Sequence, residues 1–530
     1  MVKNSTNKMK KSTATAIAFA ALTGAVSGCV VTVYKYLCGL AIGISQSFYD
    51  VMRQKLWIVP LALVAAYLFS WALSLVYKKL PSAMGGGIPT SVAVIRGRLP
   101  FKWFANFISV FSLSIAGFLT GVPLGNEGPC VQMGTALGRG TVKILGKNKR
   151  ALDRYMMSSG ACAGFAAATG APISGVLFAI EESHHKISPL LMAVSFVSVS
   201  VCTVVVHLLA PVMGVSVRLF PEFEEAAFML KDLWIPLVTG VVIGFCSVGF
   251  LYLYKLVKKL SDKLNIGVRN KIFAALTLTV IVGIVSFSFI STGHDFIVDL
   301  LDFNVTWYFL LAALAVRSLL TLFANSVGIT GGIFLPILAV GATASTLLAK
   351  LLVALGMEQS YALTVQLIGI AACMSGMMKT PVIAVVFGIE ALSLWNNVIG
   401  VIIASGVAYC ITELCGAESV TDAVVEDKIA NINKGKAHII YEAYAIIGKN
   451  SFAEGKHVRD LMWPANCFVL SVQKKRRDAE VDEHGDLVLN EGDMIHIRYT
   501  EVEGREIAKN DILALIGQEH FVSRTEVEVL

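Results

Sequence analysis

One passage of this chain occurs twice. Gly160-Ala-Cys-Ala-Gly-Phe-Ala-Ala-Ala-Thr-Gly-Ala-Pro172-Ile-Ser-Gly-Val-Leu-Phe178-Ala-Ile180-Glu181 returns as Gly369-Ile-Ala-Ala-Cys-Met-Ser-Gly-Met-Met-Lys-Thr-Pro381-Val-Ile-Ala-Val-Val-Phe387-Gly-Ile389-Glu390, with Gly, Pro, Phe, Ile and Glu all kept at an offset of 209. Upstream, Gly125-Asn-Glu-Gly-Pro129 with Gly134 is echoed by Gly332-Ile-Phe-Leu-Pro336 with Gly341 at an offset of 207. Both blocks lie in apolar runs broken by Gly and Pro. Irregular backbone at membrane depth is tolerated only where protein buries it or where it lines a cavity. Two halves with matched, interrupted apolar helices therefore predict a transporter-type repeat fold whose site lies where the halves meet.

Composition agrees. Of 530 residues, 55% are apolar and 15% charged, with a mean hydropathy of +0.70; a soluble globular chain has about 45–50% and about 25%. Ordinary soluble enzymes and disordered chains are excluded. Spanning or re-entrant helices are expected at about 13–46, 56–77, 104–122, 155–181, 187–214, 234–257, 272–291, 306–326, 334–356, 362–377 and 381–416. The run ending Val26-Ser27-Gly28-Cys29 has the look of a lipoprotein signal, but its apolar character continues to Ile44, long enough to span. Trp57, Trp71, Trp103 and Trp307 stand at run ends, as interfacial belts require.

Charge divides the chain in two. Residues 421–530 hold 14 Lys/Arg and 20 Asp/Glu, a net −6, so the overall +7 leaves +13 for the body. Loop cations on a membrane body set topology and face anionic lipid; no basic groove motif points to nucleic acid. Lys3, Lys8, Lys10 and Lys11 ahead of the first apolar run place the N-terminus, residues 1–12, in the cytoplasm. The ten cysteines are scattered singly and never as CxxC, which suits small packed side chains better than zinc or a disulfide framework. No HExxH, GxSxG, P-loop or cofactor fingerprint is present. The reading is thus a transporter, not an enzyme, and calls for no cofactor or metal.

The strongest local signal is Gly125-Asn126-Glu127-Gly128-Pro129, which opens an apolar helix. A Gly/Pro-broken helix start within the membrane leaves backbone N–H groups unpaired at the positive end of the dipole, an anion site. Glu127 occupies the place of the anion. An acidic side chain there costs about 2.5–3.5 kcal/mol on translocon scales, and no Lys or Arg lies in the segment to offset it.

With Gly85-Gly86-Gly87-Ile88-Pro89 before it and Gly331-Gly332-Ile333-Phe334-Leu335-Pro336 after it, this segment resembles the three anion-site motifs of the CLC chloride channels and anion/proton antiporters, in order and spacing, over residues 15–421. The resemblance implies an all-α polytopic CLC fold with an inverted repeat of re-entrant helices, paired as a homodimer in the cell (inner) membrane with both termini cytoplasmic. It implies that Glu127 is a gate, ionised when it fills the anion path and protonated when it swings aside. The anion would be held around Gly86, Gly87, Ile88, Asn126, Gly128, Thr330, Ile333 and Phe334, chiefly by the amides of Gly87, Ile333 and Phe334. Val176-Leu-Phe-Ala-Ile-Glu181-Glu182 looks like the CLC stretch whose second glutamate relays protons in antiporters, here Glu182; a solvated helix end beside Ser183, His184 and His185 is the competing reading. Glu181, repeated as Glu390, is read as structural.

Departures from the chloride pattern bear on the ion. Gly86 stands where chloride-type members have serine, and Val420 near their tyrosine, while Asn126 and Thr330 resemble the fluoride/proton branch. The sequence thus leans to fluoride, with chloride the alternative; methionine is usual in that branch where Gly86 stands. Proton-coupled exchange is the first reading, and a passive voltage- or pH-gated chloride channel of the same fold the second.

Past 421 the text changes. Residues 13–421 are expected as the transport domain, 422–440 as a linker, and 441–530 as a small α+β cytoplasmic domain. Cys467–Gln473, Asp486–Leu489 and Met494–Tyr499 read as strands, Asp482–Asp486 as a turn, and Lys474–Arg477 as a solvated hairpin edge. Val458-Arg-Asp-Leu-Met-Trp-Pro464 and Leu489-Asn-Glu-Gly-Asp-Met494 resemble the RCK C-terminal (TrkA-C) module, which implies regulation, with an unidentified small ligand.

Overall fold

In the computed structural model, residues 2–146, 150–474, 479–481, 485–517 and 521–529 are described. Among them, eight helices are long and apolar enough to cross a membrane, so the chain is a multi-pass membrane protein. The first expected run is one continuous helix, Val2–Gln54. The run at 155–181 is divided at Gly170, where the backbone turns left-handed (φ 69°), and that at 381–416 is divided at Ser393 (φ 62°).

The repeat is visible as matched elements. Helices Trp103–Leu119, Glu127–Leu145, Asp153–Thr169 and Pro172–Phe178 correspond in order to Trp307–Ser326, Phe334–Ala354, Ala362–Met378 and Pro381–Leu392. The repeated glycines mark where helices cross. A Cβ on Gly134 would lie 2.0 Å from the Gly160 carbonyl oxygen, and one on Gly160 2.1 Å from that of Gly134. In the second half, Gly341 faces Cys373 and Gly369 faces Ser345 at similar range. Small residues let the backbones approach, as helix association in lipid requires.

Glu181 and Glu390 tie the halves together. Glu181 accepts the Val382 and Ile383 amides (2.9 and 2.7 Å) at the start of the second half's re-entrant helix. Glu390 accepts those of Ile173 and Ser174 (both 2.8 Å) at the start of the first half's. Each carboxylate caps the other half's orphan donors.

The segment expected as a linker is mostly helix, Val420–Ile432, with Ser419 as its N-cap accepting the Asp422 amide. It packs on the first-motif helix Ile88–Ile95, and five residues separate its end from the next strand. The C-terminal unit is an antiparallel sheet, with β1 (His438–Ile446), β2 (Cys467–Gln473), β3 (Ala479–Val481), β4 (Met494–Val502) and β5 (Phe521–Val529) in the order β3-β2-β4-β1-β5. Ala443, Ile447, Leu461, Ile495, Ile497 and the helix Ile507–Ile516 form its core. Asp486–Leu489 is not a strand: it makes one isolated bridge, Val488 with His457, because β4 already pairs with β1 and β2. Lys474 is tied to Asp493 at 2.9 Å, while the rest of the basic run and most of the 482–486 turn lie outside the described residues.

This unit docks through charge and backbone. Arg154 donates to the Trp463 carbonyl (2.7 Å) and to Asp511 (2.9 Å), Tyr155 and Ser188 donate to the Asp460 carbonyl (3.0 Å each), and the Ala465 amide donates to the Arg96 carbonyl (3.1 Å). Trp57, Trp71 and Trp307 are exposed, whereas Trp103 packs over Gly140.

Candidate functional site

Three helix starts meet at three glycines. Gly87 precedes Ile88–Ile95, Gly128 lies in the first turn of Glu127–Leu145, and Gly332 precedes Phe334–Ala354. A Cβ on Gly87 would lie 2.7 Å from Gly128 Cα; one on Gly128 would lie 2.7 Å from Gly332 Cα and 2.9 Å from Gly87 Cα. Only glycine permits this approach, and at Gly87 the backbone is also left-handed (φ 87°). The two broken loops are stitched by the Gly125 amide to the Gly332 carbonyl (2.7 Å) and the reverse bond (2.8 Å). Three positive helix ends thus point at one small volume.

Glu127 is fully buried there. Among the described residues its carboxyl meets no donor from any other residue; the contact it has is with its own amide. A methyl at Gly125 would fall 2.5 Å from Glu127 Oε2 and 3.4 Å from the Leu335 amide nitrogen, so the carboxyl lies against the opening turn of Phe334–Ala354. The amides of Ile333 and Phe334 belong to that turn and have no carbonyl one turn back to bond. Phe334 is fixed by T-shaped contacts to Phe165 (5.4 Å) and Phe387 (5.6 Å), and Phe165 stacks on Phe178, so the two repeated phenylalanines back the turn from both halves.

Two expected donors are spent elsewhere. The Gly87 amide donates to Gln132 Oε1 at 2.7 Å, and Gln132 Nε2 in turn donates to Asn106 Oδ1 and the Ser82 carbonyl. Thr330 Oγ1 donates to the Ala83 carbonyl at 2.9 Å and lies 2.8 Å from the Tyr77 hydroxyl. The Gly87 amide thus ties the first motif to the second-motif helix, and Thr330 ties the third motif to the segment before the first; neither presents a free proton to an anion, which corrects the sequence reading. Gln132 also fills the missing serine's surroundings, since a Cβ on Gly86 would meet its Oε1 at 3.1 Å. Gly86 and Asn126 are half-buried; Ile88 and Gly128 are buried in the junction. Val420 begins its helix fully buried.

Glu182 lies in a π-helical turn, Ala179–His184, 3% exposed, with Oε1 unpartnered beside Thr421. It is not a solvated helix end. Its carbonyl and that of Ser183 accept from Arg96 (3.0 and 2.9 Å), whose Nη1 reaches Asp422 at 2.9 Å. Nothing local pointed to Gln132, Tyr77 or Arg96 beyond their being polar residues in or beside apolar runs.

The sequence profile of the voltage gated chloride channel family matches residues 69–413, which include all three motifs. The chain belongs to the CLC family. A CLC relative, the H(+)/Cl(-) exchange transporter ClcA of Vibrio vulnificus (strain YJ016), is 27% identical over 432 residues, 78% of this chain and 89% of the relative. Its counterpart in strain CMCP6 matches to the same extent. Among solved structures, a slow cyanobacterial Cl-/H+ antiporter superposes with a TM-score of 0.72 at 21% identity, covering 79% of this chain and 99% of that one. A CLC-type fluoride/proton antiporter superposes with a TM-score of 0.62 at 18% identity, covering 76% and 96%. These likenesses carry the CLC fold, here with a small sheet-containing C-terminal unit.

Proposed function

We propose that the protein exchanges a halide for protons across the cell membrane, with Glu127 as gate and Glu182 as proton relay. The observation that carries this reading is the buried, unpartnered carboxyl of Glu127 at the meeting of three helix starts. A carboxylate and a halide compete for the same amide field; protonation removes the carboxylate from the contest, which couples the two ions without an energy source. Glu182, buried behind Arg96 on the side of the C-terminal unit, is a second protonatable stop with no role in packing that its sequence copy shares.

Chloride is the first candidate. The lean to fluoride rests on the serine and tyrosine hydroxyls missing at Gly86 and Val420 and on Asn126 and Thr330, and the Thr330 hydroxyl is already bonded to Ala83; the two sequence relatives, 27% identical over 78% of this chain, bear chloride in their names. We read the chain as a homodimer, as the family resemblance implies. We further read both termini as cytoplasmic, the membrane as the inner one, and the sheet unit as a TrkA-C-like regulatory domain.

Proteoliposomes test this. A chloride gradient should drive proton uptake against the proton gradient, with fluoride less effective. Halide flux without proton movement identifies the passive channel, and fluoride outrunning chloride restores the fluoride reading.

A further inference from the structure

On the side that carries the C-terminal unit, a cavity of about 460 Å³ leads to the first motif. Gly85 and Gly86 form its inner wall together with Gly328 of the third-motif loop. Its rim carries five cations from five separate elements: Lys79 at the end of Val59–Lys79, Lys102 just before Trp103–Leu119, Lys258 of Trp234–Lys263, Lys428 of Val420–Ile432, and Arg505 from the turn after β4. Asp427 is the one acid among the lining residues, and its Oδ2 accepts the Tyr254 hydroxyl at 2.7 Å. Lys258 is the only one of the five in an ion pair among the described residues, with Asp262 at 3.4 Å.

Two of the cations are positioned with care. Lys428 Nζ donates to the Met84 carbonyl at 2.7 Å and to Thr90 Oγ1, which pins its charge beside the Gly85–Gly86 backbone. Arg505 Nη1 donates to Asn433 Oδ1 at 2.7 Å, just past the C-terminal end of the same helix, so one edge of the guanidinium is anchored while the residue still lines the cavity. Arg505 reaches this place only because the C-terminal unit is docked.

We propose that the C-terminal unit is part of the anion pathway: Arg505 completes a cationic antechamber in which small hydrated anions collect before the glycine junction, so that the docked position of this unit sets how readily anions are captured from its side. The inference rests on the transport reading above. Its physics is focusing of a like-signed potential in a low-dielectric cleft. One unit charge about 10 Å away through water changes the local anion concentration about twofold, and reversing a charge doubles the exponent.

The test is halide flux from proteoliposomes, with the anion presented on the side of the C-terminal unit and ionic strength set by gluconate. Arg505→Glu should raise the half-saturating halide concentration about fourfold at low ionic strength and less than twofold at high, as screening requires. Arg505→Lys should restore it, which a purely structural arginine would not predict. Lys102→Glu, on the membrane body, should act like Arg505→Glu. If Lys102→Glu raises the half-saturating concentration and Arg505→Glu does not, the C-terminal unit has no part in capture. If neither does, the antechamber itself is refuted. A wild-type chain that moves no halide overturns the transport reading, a result distinct from both.

Discussion

At the crossing of the two halves, the loops ending in Gly128-Pro129 and Leu335-Pro336 occupy equivalent places and bond to each other through Gly125 and Gly332. At the equivalent position one half offers the carboxyl of Glu127 and the other the ring of Phe334. The pattern recurs at the re-entrant helices: Glu181 and Glu390 are copies and cap one another's helices, whereas the copy of Glu182 is Ala391. What the halves share builds the scaffold and its amide donors. What they do not share is a pair of buried carboxylates, Glu127 at the glycine junction and Glu182 in the turn beside Arg96, and a protonatable group is what proton coupling needs.

Breaking a shared element should cost most. Gly128→Ala forces a Cβ into backbone on two sides, 2.7 Å from Gly332 Cα and 2.9 Å from Gly87 Cα, where nothing flexible can give way. We expect no monodisperse protein by size-exclusion chromatography; a stable, transporting variant would show that the glycine junction is not needed. Breaking an unshared element should leave the fold intact. Glu182→Gln should abolish proton movement, keep halide flux and leave the folded protein monodisperse. Equal loss of both fluxes would assign Glu182 to the scaffold.

The symmetric caps give a sharper, smaller test. Glu181→Ala and Glu390→Ala each leave two helix-start amides without their acceptor and should each cost about 1 kcal/mol in unfolding experiments. A difference between them much larger than that cost would contradict their equivalence. The smallest effect concerns the antechamber. Burial pushes the Lys428 ammonium down to about 7, so it is charged below that pH and neutral above it. Its surroundings are Asp427 and Tyr254, with Lys79, Lys102, Lys258 and Arg505 on the facing elements. Raising the pH on that side from about 6 to about 8 should therefore weaken halide capture about twofold. Lys428→Arg, whose charge persists over this range, should remove that component.

The architecture was legible where backbone chemistry dictates it. Gly/Pro breaks inside apolar runs and the repeat offset marked the junction, the helix that Glu127 opens and the matched halves, because orphan amides and close helix crossings leave visible residue types. The fate of individual donors was not legible. The Gly87 amide meets Gln132, and Thr330 meets Tyr77 and Ala83, through contacts 45 to 253 residues apart that no local pattern reports. In the tail, β1, β5 and the helix Ile507–Ile516 escaped notice because each mixes apolar with charged residues, and the helix Val420–Ile432 read as a linker because its buried face rests on tertiary contact with the first-motif helix.

The central claim is that one carboxyl, at position 127, contests a ring of main-chain donors with the transported anion. Glu127→Gln in proteoliposomes, with halide flux and proton movement recorded together over about pH 5 to 8, tests it most directly. The account predicts halide flux that carries no protons and keeps only the roughly twofold pH dependence set by Lys428. Proton-coupled flux with the wild-type pH dependence would contradict it.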